Sequence, residues 1–299
     1  MEDCIVAIGA SDGDVYSNQI NLHLLGQRGI IFSFQNAPVS VDPYHAIAVY
    51  ENTMFIIGLG EADNEIWKFD LTSGWNKCGS LVDGKQYHCA AFLEETLYIC
   101  GGEKRDVVMD SIEAYNVLTE QSTVVGQLKF GSKTAACVAY KGSIYVFGGE
   151  DKDKKALDCV QVYSPVDKIC TLLSTSMPHS ETFLRSMLWG SYAILLNNSS
   201  CFIFDIEKKT FHERNQFKTD VTYFQPVLIN EQIFVIGGKV KDELSQEADR
   251  SKCKYRCIDD IKYTRASSML NNETAKWKTL HHLPKAIAVY ASAKLTLVK

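Results

Sequence analysis

The feature that most constrains this chain is a hydrophobic run closed by glycine that recurs along its whole length. Ile144-Tyr145-Val146-Phe147-Gly148-Gly149-Glu150 closely echoes Leu97-Tyr98-Ile99-Cys100-Gly101-Gly102-Glu103, and Phe234-Val235-Ile236-Gly237-Gly238 has the same form. Phe55-Ile56-Ile57-Gly58-Leu59-Gly60 and Ile5-Val6-Ala7-Ile8-Gly9-Ala10 are weaker copies, and Ala193-Ile194-Leu195-Leu196-Asn197 is a worn one. Keyed on residues 9, 58, 101, 148, 196 and 237, the copies lie 49, 43, 47, 48 and 41 residues apart. A period in the forties belongs to architectures built from repeated sheets.

Each unit has one internal grammar. An apolar stretch (residues 45–50, 89–93, 135–140, 186–189 and 226–229) precedes a polar turn and the glycine-closed run. A variable loop and a third run follow (65–70, 111–116, 159–164, 201–205), and then a fourth strand opens near Trp75, Ser122, Cys170 or Phe211. Four short strands separated by turns make one antiparallel blade. The glycines Gly58, Gly101, Gly102, Gly148, Gly149, Gly237 and Gly238 permit positive φ and a close backbone approach at the strand end.

The ends complete the count. Residues 4–9 form a second-strand run without a first strand, followed by third- and fourth-strand material near 19–23 and 29–34. Ala286-Ile287-Ala288-Val289-Tyr290 is identical to residues 46–50 and supplies the missing strand. The expectation is an all-β, six-bladed propeller with four antiparallel strands per blade, a single domain over residues 1–299. Its ring is closed by the C-terminal strand joining the N-terminal blade, so that no edge stays open. Residues 239–264 read as a polar insertion in which 243–254 could form a short helix, and 295–299 read as a surplus second strand or tail.

The glycine pair, the aromatic three residues before it and the aromatic further on together resemble the Kelch repeat. The whole chain resembles the Kelch propeller of the BTB-Kelch (Kelch-like) proteins, with intact pairs in units two, three and five and both glycines lost in unit four. The resemblance implies a protein-interaction module, the substrate-recognition propeller of an adaptor for a cullin-RING ubiquitin ligase. Ligase contact would run through BTB and BACK regions outside these residues. The alternative is a stand-alone Kelch scaffold or an actin- and cytoskeleton-binding protein.

The same resemblance places recognition on one rim, at the residues leading into the first strands and in the loops after the glycine pairs. Counting fourteen residues back from each key position gives Tyr44, Tyr87, Thr134, Thr182 and Tyr223, with Pro284 or Lys285 closing the ring. His45 and His88 are neighbours of two of them, and Arg105 lies in a charged post-glycine loop with Glu103 and Lys104. Tyrosine is enriched among interface hot spots, so three equivalent tyrosines read as a recognition platform. The other reading is a set of rings that plugs the channel mouth. Basic residues are not concentrated here, and no simple reader of acidic peptides is expected.

Other functions find little support. A net charge of −5 and a pI near 5.8 give no basic footprint for nucleic acid. No apolar run reaches the roughly 20 residues of a membrane helix. The acidic start Met1-Glu2-Asp3 is not a secretory signal, and the expected setting is the cytoplasm, with the nucleus as the alternative. Several of the ten cysteines lie in apolar runs, where a thiol acts as a small hydrophobe. Cys253 and Cys257 are the one close pair, and no further ligands at zinc spacing accompany them. Some Kelch propellers are copper oxidases, but only His45 and His88 of the seven histidines occupy equivalent places. No nucleophile elbow or phosphate loop appears. The expectation is therefore no enzyme, no cofactor and no metal, and a protein or peptide partner.

Overall fold

In the computed structural model, the described residues are 2–10, 20–24, 31–33, 37–39, 41, 44–214, 217–241, 255–271 and 277–297. Four blades follow the expected plan. The first comprises Ala46–Tyr50, Thr53–Leu59, Glu65–Asp70 and Gly74–Ser80, and the second Cys89–Leu93, Thr96–Cys100, Ser111–Asn116 and Gln121–Gln127. The third comprises Ala136–Tyr140, Ser143–Phe147, Val160–Ser164 and Ile169–Leu172, and the fourth Arg185–Trp189, Tyr192–Leu196, Cys201–Asp205 and Thr210–Glu213. Each is a four-stranded antiparallel sheet in sequence order.

The expectation of six blades in a ring closed by a C-terminal first strand is overturned. Apart from a two-stranded hairpin, Glu103–Lys104 with Val107–Val108, the remaining strands form one eight-stranded sheet, making five sheets of blade character. Its order runs Val227–Ile229, Gln232–Ile236, Tyr255–Arg265, Lys278–Leu297, Glu2–Ala10, Ile20–Leu24 and Ile31–Ser33, with Lys239–Lys241 pairing on Tyr255–Arg265. The cause is the 20-residue strand Lys278–Leu297, which pairs with Tyr255–Arg265 along its first half and with Glu2–Ala10 along its second. A turn before residue 286 would have separated two blades. Instead the ladder jumps from the pair Asp260–His282 to the pair Ile258–Ile287. The jump brackets Pro284, which has no N–H to give a ladder.

Two further expectations change. Residues 288–297, rather than 286–290, lie opposite Glu2–Ala10, with Cys4 facing Leu295 and Ala10 facing Ala288, so 295–297 are strand and not tail. Of the supposed insertion, 239–241 and 255–264 are strand, while the proposed helix at 243–254 lies outside the described residues. A five-residue helix, Ala266–Leu270, follows and packs Ala266 and Met269 inside.

The core lies between sheets. Met54 and Ile56 of the first blade pack with Cys4, Val6 and Ile8 of the N-terminal strand, and Phe147 of the third packs with Phe202 and Phe204 of the fourth. Of eight described free cysteines, seven are buried and Cys159 is half-buried, which fits thiols acting as core hydrophobes. Among the described residues no helix is long and apolar enough to cross a membrane.

Candidate functional site

Before four of the inner strands the lead-in residue turns the chain by adopting a left-handed backbone. Tyr87, Thr134, Phe183 and Tyr223 have φ of 57°, 56°, 53° and 53°. Backbone bonds link these positions from one blade to the next: Tyr87 N–H donates to the Tyr44 carbonyl at 2.9 Å, and Thr134 N–H to the Tyr87 carbonyl at 2.8 Å. The Val289 N–H reaches the Tyr223 carbonyl at 3.0 Å. The bonds tie Tyr44, Tyr87 and Thr134 together, and Tyr223 to the last strand, at one channel mouth.

In blade four the equivalent residue is Phe183, one later than Thr182. The pairing of Arg185 with Leu196 matches that of Cys89 with Cys100, so Asn197, not Leu196, takes the place of the first glycine. Thr182 lies beside Phe183 on the same rim and lines the same pocket.

The rings meet across the mouth. Tyr44 and Tyr87 have centroids 4.6 Å apart, and Tyr87 meets Phe183 edge-on at 6.5 Å. Lys133 Nζ stands 5.8 Å over the Tyr87 ring, and Lys239 Nζ 5.6 Å over that of Tyr223. Phe183 remains 53% exposed and Tyr223 37%, whereas Thr134 is buried and its hydroxyl has no hydrogen bond among the described residues. The rings therefore cap part of the channel while presenting apolar surface outward.

His45 and His88 sit below this layer, buried in the channel wall. Burial, then the nearby charges of Lys85 and His45, push the His88 imidazole down to about 3 from 6.5, so it is neutral at physiological pH. Lys285 lies in the long last strand, and its side chain falls outside the described residues. Arg105 is at the tip of the hairpin Glu103–Lys104 and Val107–Val108, with φ of 49°, beside a cleft of about 600 Å3 that also touches Glu61 and Asp63.

Post-glycine loops are tied down where the glycine pair is intact. Single backbone bridges join Gln86 to Glu103, Lys133 to Glu150 and Thr222 to Lys239. Gly149 has φ of 94°, and a Cβ there would stand 2.6 Å from the Lys133 carbonyl, so only glycine lets the two backbones pair. Lys133 bonds Glu103 and lies 3.3 Å from Glu150, and the bond to Glu103 chiefly raises its pKa. Lys104 pairs with Asp83 at 2.7 Å. Lys133 thus couples the post-glycine loops of blades two and three.

Blade four has no such bridge among the described residues, and a pocket of about 330 Å3 opens there. Phe183, Tyr223 and Tyr44 border it, with Thr182 and Arg185 in its lining. Arg185 also faces the central channel, where it is the one Lys, Arg, Asp or Glu among the described lining residues. At the equivalent place the other blades carry Ala46, Cys89, Ala136 and Gln225. Burial lowers its pKa to about 10, which leaves it charged at neutral pH. Phe183 and Arg185 were not read as rim residues from sequence. The signal was present in the four-residue link between Leu196 and Cys201, the shortest of the post-strand loops after the glycines were lost. Among the described residues no three His, Cys, Asp or Glu side chains are grouped to hold a metal ion.

The Kelch motif matches residues 85–129 and 133–177, which are blades two and three with their lead-ins. The chain is a Kelch-repeat propeller and resembles the Kelch-like proteins. It is 22% identical over 190 residues to Kelch-like protein 25 of Xenopus tropicalis, a match covering 58% of this chain and 32% of that protein. It is 25% identical over 183 residues to human Kelch-like protein 23, covering 60% and 33%. Alpha-scruin of Limulus polyphemus is 26% identical over 163 residues, covering 49% and 17%. The matched region is about a third of each Kelch-like relative's length. Among solved structures, that of YjhT superposes with a TM-score of 0.68 at 16% identity, covering 84% of this chain and 87% of the other, a likeness of fold alone.

Proposed function

We propose that this propeller captures a partner protein on the rim bordered by Tyr44, Tyr87, Phe183 and Tyr223, and that it serves a cullin-RING ubiquitin ligase as a substrate adaptor. One observation carries the binding reading: exposed aromatic surface on Phe183 and Tyr223 flanks a preformed pocket on the rim where the blades' lead-in segments converge. Rigid aromatic surface around a pocket is the usual make-up of a binding hot spot. The adaptor role draws support from the likeness to Kelch-like proteins 23 and 25, and a cytoplasmic setting is part of the same proposal.

The test is affinity capture followed by mass spectrometry, comparing the wild-type protein with the triple variant Tyr44→Ala, Tyr87→Ala, Tyr223→Ala. Loss of specific partners from a variant that still folds is the expected result. Equal capture by the folded variant overturns the rim assignment. Co-capture of cullin subunits by the full-length gene product is expected of an adaptor. Capture dominated by actin, with no cullin, moves the reading to a cytoskeletal scaffold.

A further inference from the structure

The blade-four pocket is a consequence of the lost glycine pair. The second strand ends at Leu196, and Asn197 Oδ1 accepts the N–H groups of Ser199 and Ser200 at 2.9 and 2.7 Å, folding the loop tightly on itself. Asn197 Nδ2 donates to Glu181 at 2.8 Å, and the Ser200 hydroxyl donates to the other oxygen of the same carboxylate. The loop thus stays short, its Asn197 and Asn198 carbonyls accepting from Thr219 and Asp220 of the next lead-in, where blades two and three extend a strand end bridged to their own lead-in.

The space left is about 330 Å3, near the lower limit of about 300 Å3 for ligand sites and suited to one large side chain. Its mouth is aromatic, with Phe183 more than half exposed. Arg185 contributes the cationic group, and its Nε donates to the Phe224 carbonyl at 3.3 Å, which helps to hold the planar guanidinium. Glu181 contributes a negative charge on the same lining, so the two formal charges cancel. A carboxylate entering the pocket would be attracted by one and repelled by the other. A neutral ring with a polar tip gains from every wall: aromatic contact at the mouth, and a guanidinium that meets either a ring face or a hydroxyl oxygen.

We propose that this pocket receives a single tyrosine side chain of the partner protein, its ring between Phe183 and Tyr223 and its hydroxyl toward Arg185. The assignment rests on the rim-binding reading above and names the residue chemistry that the rim selects.

The experiment uses fluorescein-labelled short peptides, identical except for a central tyrosine, phenylalanine, aspartate or alanine, with binding read by fluorescence anisotropy. The tyrosine peptide should bind about ten-fold more tightly than the alanine peptide. Phenylalanine should fall about five-fold below tyrosine, the loss of one hydrogen bond, and aspartate should be no better than alanine. Phe183→Ala should bring the tyrosine-to-alanine ratio toward one. Arg185→Met should erase the preference for tyrosine over phenylalanine, and Arg185→Lys, which keeps a charged donor if the methionine variant fails to fold, should retain part of it. Tightest binding by the aspartate peptide overturns the proposal, as does a preference for tyrosine that survives Phe183→Ala and a folded Arg185 variant. Absence of saturable binding by any of the peptides up to about 1 mM also overturns it. If the tyrosine-rim triple variant loses its partner while no peptide discriminates, the rim reading stands and the pocket assignment falls. If the peptides discriminate as expected while the triple variant keeps its partner, the reverse holds.

Discussion

Blades three and four are neighbours with the same four-strand plan, yet they close their second strands by different chemistry. In blade three Gly148 and Gly149 take φ of 58° and 94°, and the chain runs on to pair Glu150 with Lys133. Ser132 secures the join by donating to the Gly148 carbonyl at 2.8 Å. In blade four Asn197 replaces the glycine and makes the turn with its side chain, while Glu181, at the position of Ser132, accepts from Asn197 and Ser200. Backbone pairing fills the rim in one case and side-chain bonding leaves it open in the other. A degraded repeat is thus the place where the propeller gains a pocket.

The same anchor position in blade two holds Lys85, which gives the largest predicted effect. Lys85 and Glu113 form an ion pair at 2.7 Å with both side chains wholly buried, and Lys85 also donates to Ser111 at 3.2 Å. Blade three does the same work without charge: Gln161, equivalent to Glu113, accepts from and donates to the Phe130 backbone. Lys85→Met strands a buried carboxylate and should cost about 3–5 kcal/mol in urea unfolding. The blade-three pair placed in blade two, Lys85→Ser with Glu113→Gln, should recover much of that loss. A stable single variant would break the equivalence of the two anchors.

Gly149→Ala should cost about 3 kcal/mol, since it combines a left-handed backbone with an added Cβ only 2.6 Å from the Lys133 carbonyl. Asn197→Ala, which removes side-chain hydrogen bonds and no backbone strain, should cost about 1–2 kcal/mol in the same assay. Equal losses would mean that the two strand ends are not held by the different means described.

The last effect concerns pH and is small near neutrality. His88 in blade two occupies the place of Ala135 in blade three and Leu184 in blade four. An unfolded chain protonates this histidine near 6.5, whereas the folded chain resists protonation down to about 3. The unfolded state therefore binds more protons across that window, and stability falls as pH drops from about 6.5 toward 3. The slope from this group approaches on the order of 1 kcal/mol per pH unit. His88→Leu should flatten the acid limb measured by urea unfolding between these values, and an unchanged slope would remove His88 as its source.

Much of this was legible in sequence wherever a signal was local. The glycine-closed runs located the second strands of blades one to three, and Trp75, Ser122, Cys170 and Phe211 all fall in fourth strands as their spacing implied. Tyr44, Tyr87 and Tyr223 do share one mouth. Unit four was set one residue out of frame because no glycine marked its strand end, and that displaced Phe183 by one place. The six-blade count failed for a different reason: a proline such as Pro284 marks either a turn or a bulge, and only the partner strand decides between them.

The sequence by itself determined the repeating four-strand unit and the positions that lead into each inner strand, because both rest on alternation, turn residues and glycine within some forty residues. Tertiary structure alone decided that the end units fuse, since Cys4 and Leu295 meet across 291 positions of chain. It alone decided that Tyr44, Phe183 and Tyr223 surround one pocket with Arg185 in its lining. Pairings at that separation leave no period in the sequence; they follow from how sheets pack and from which strand end has lost the glycine that would have filled the space.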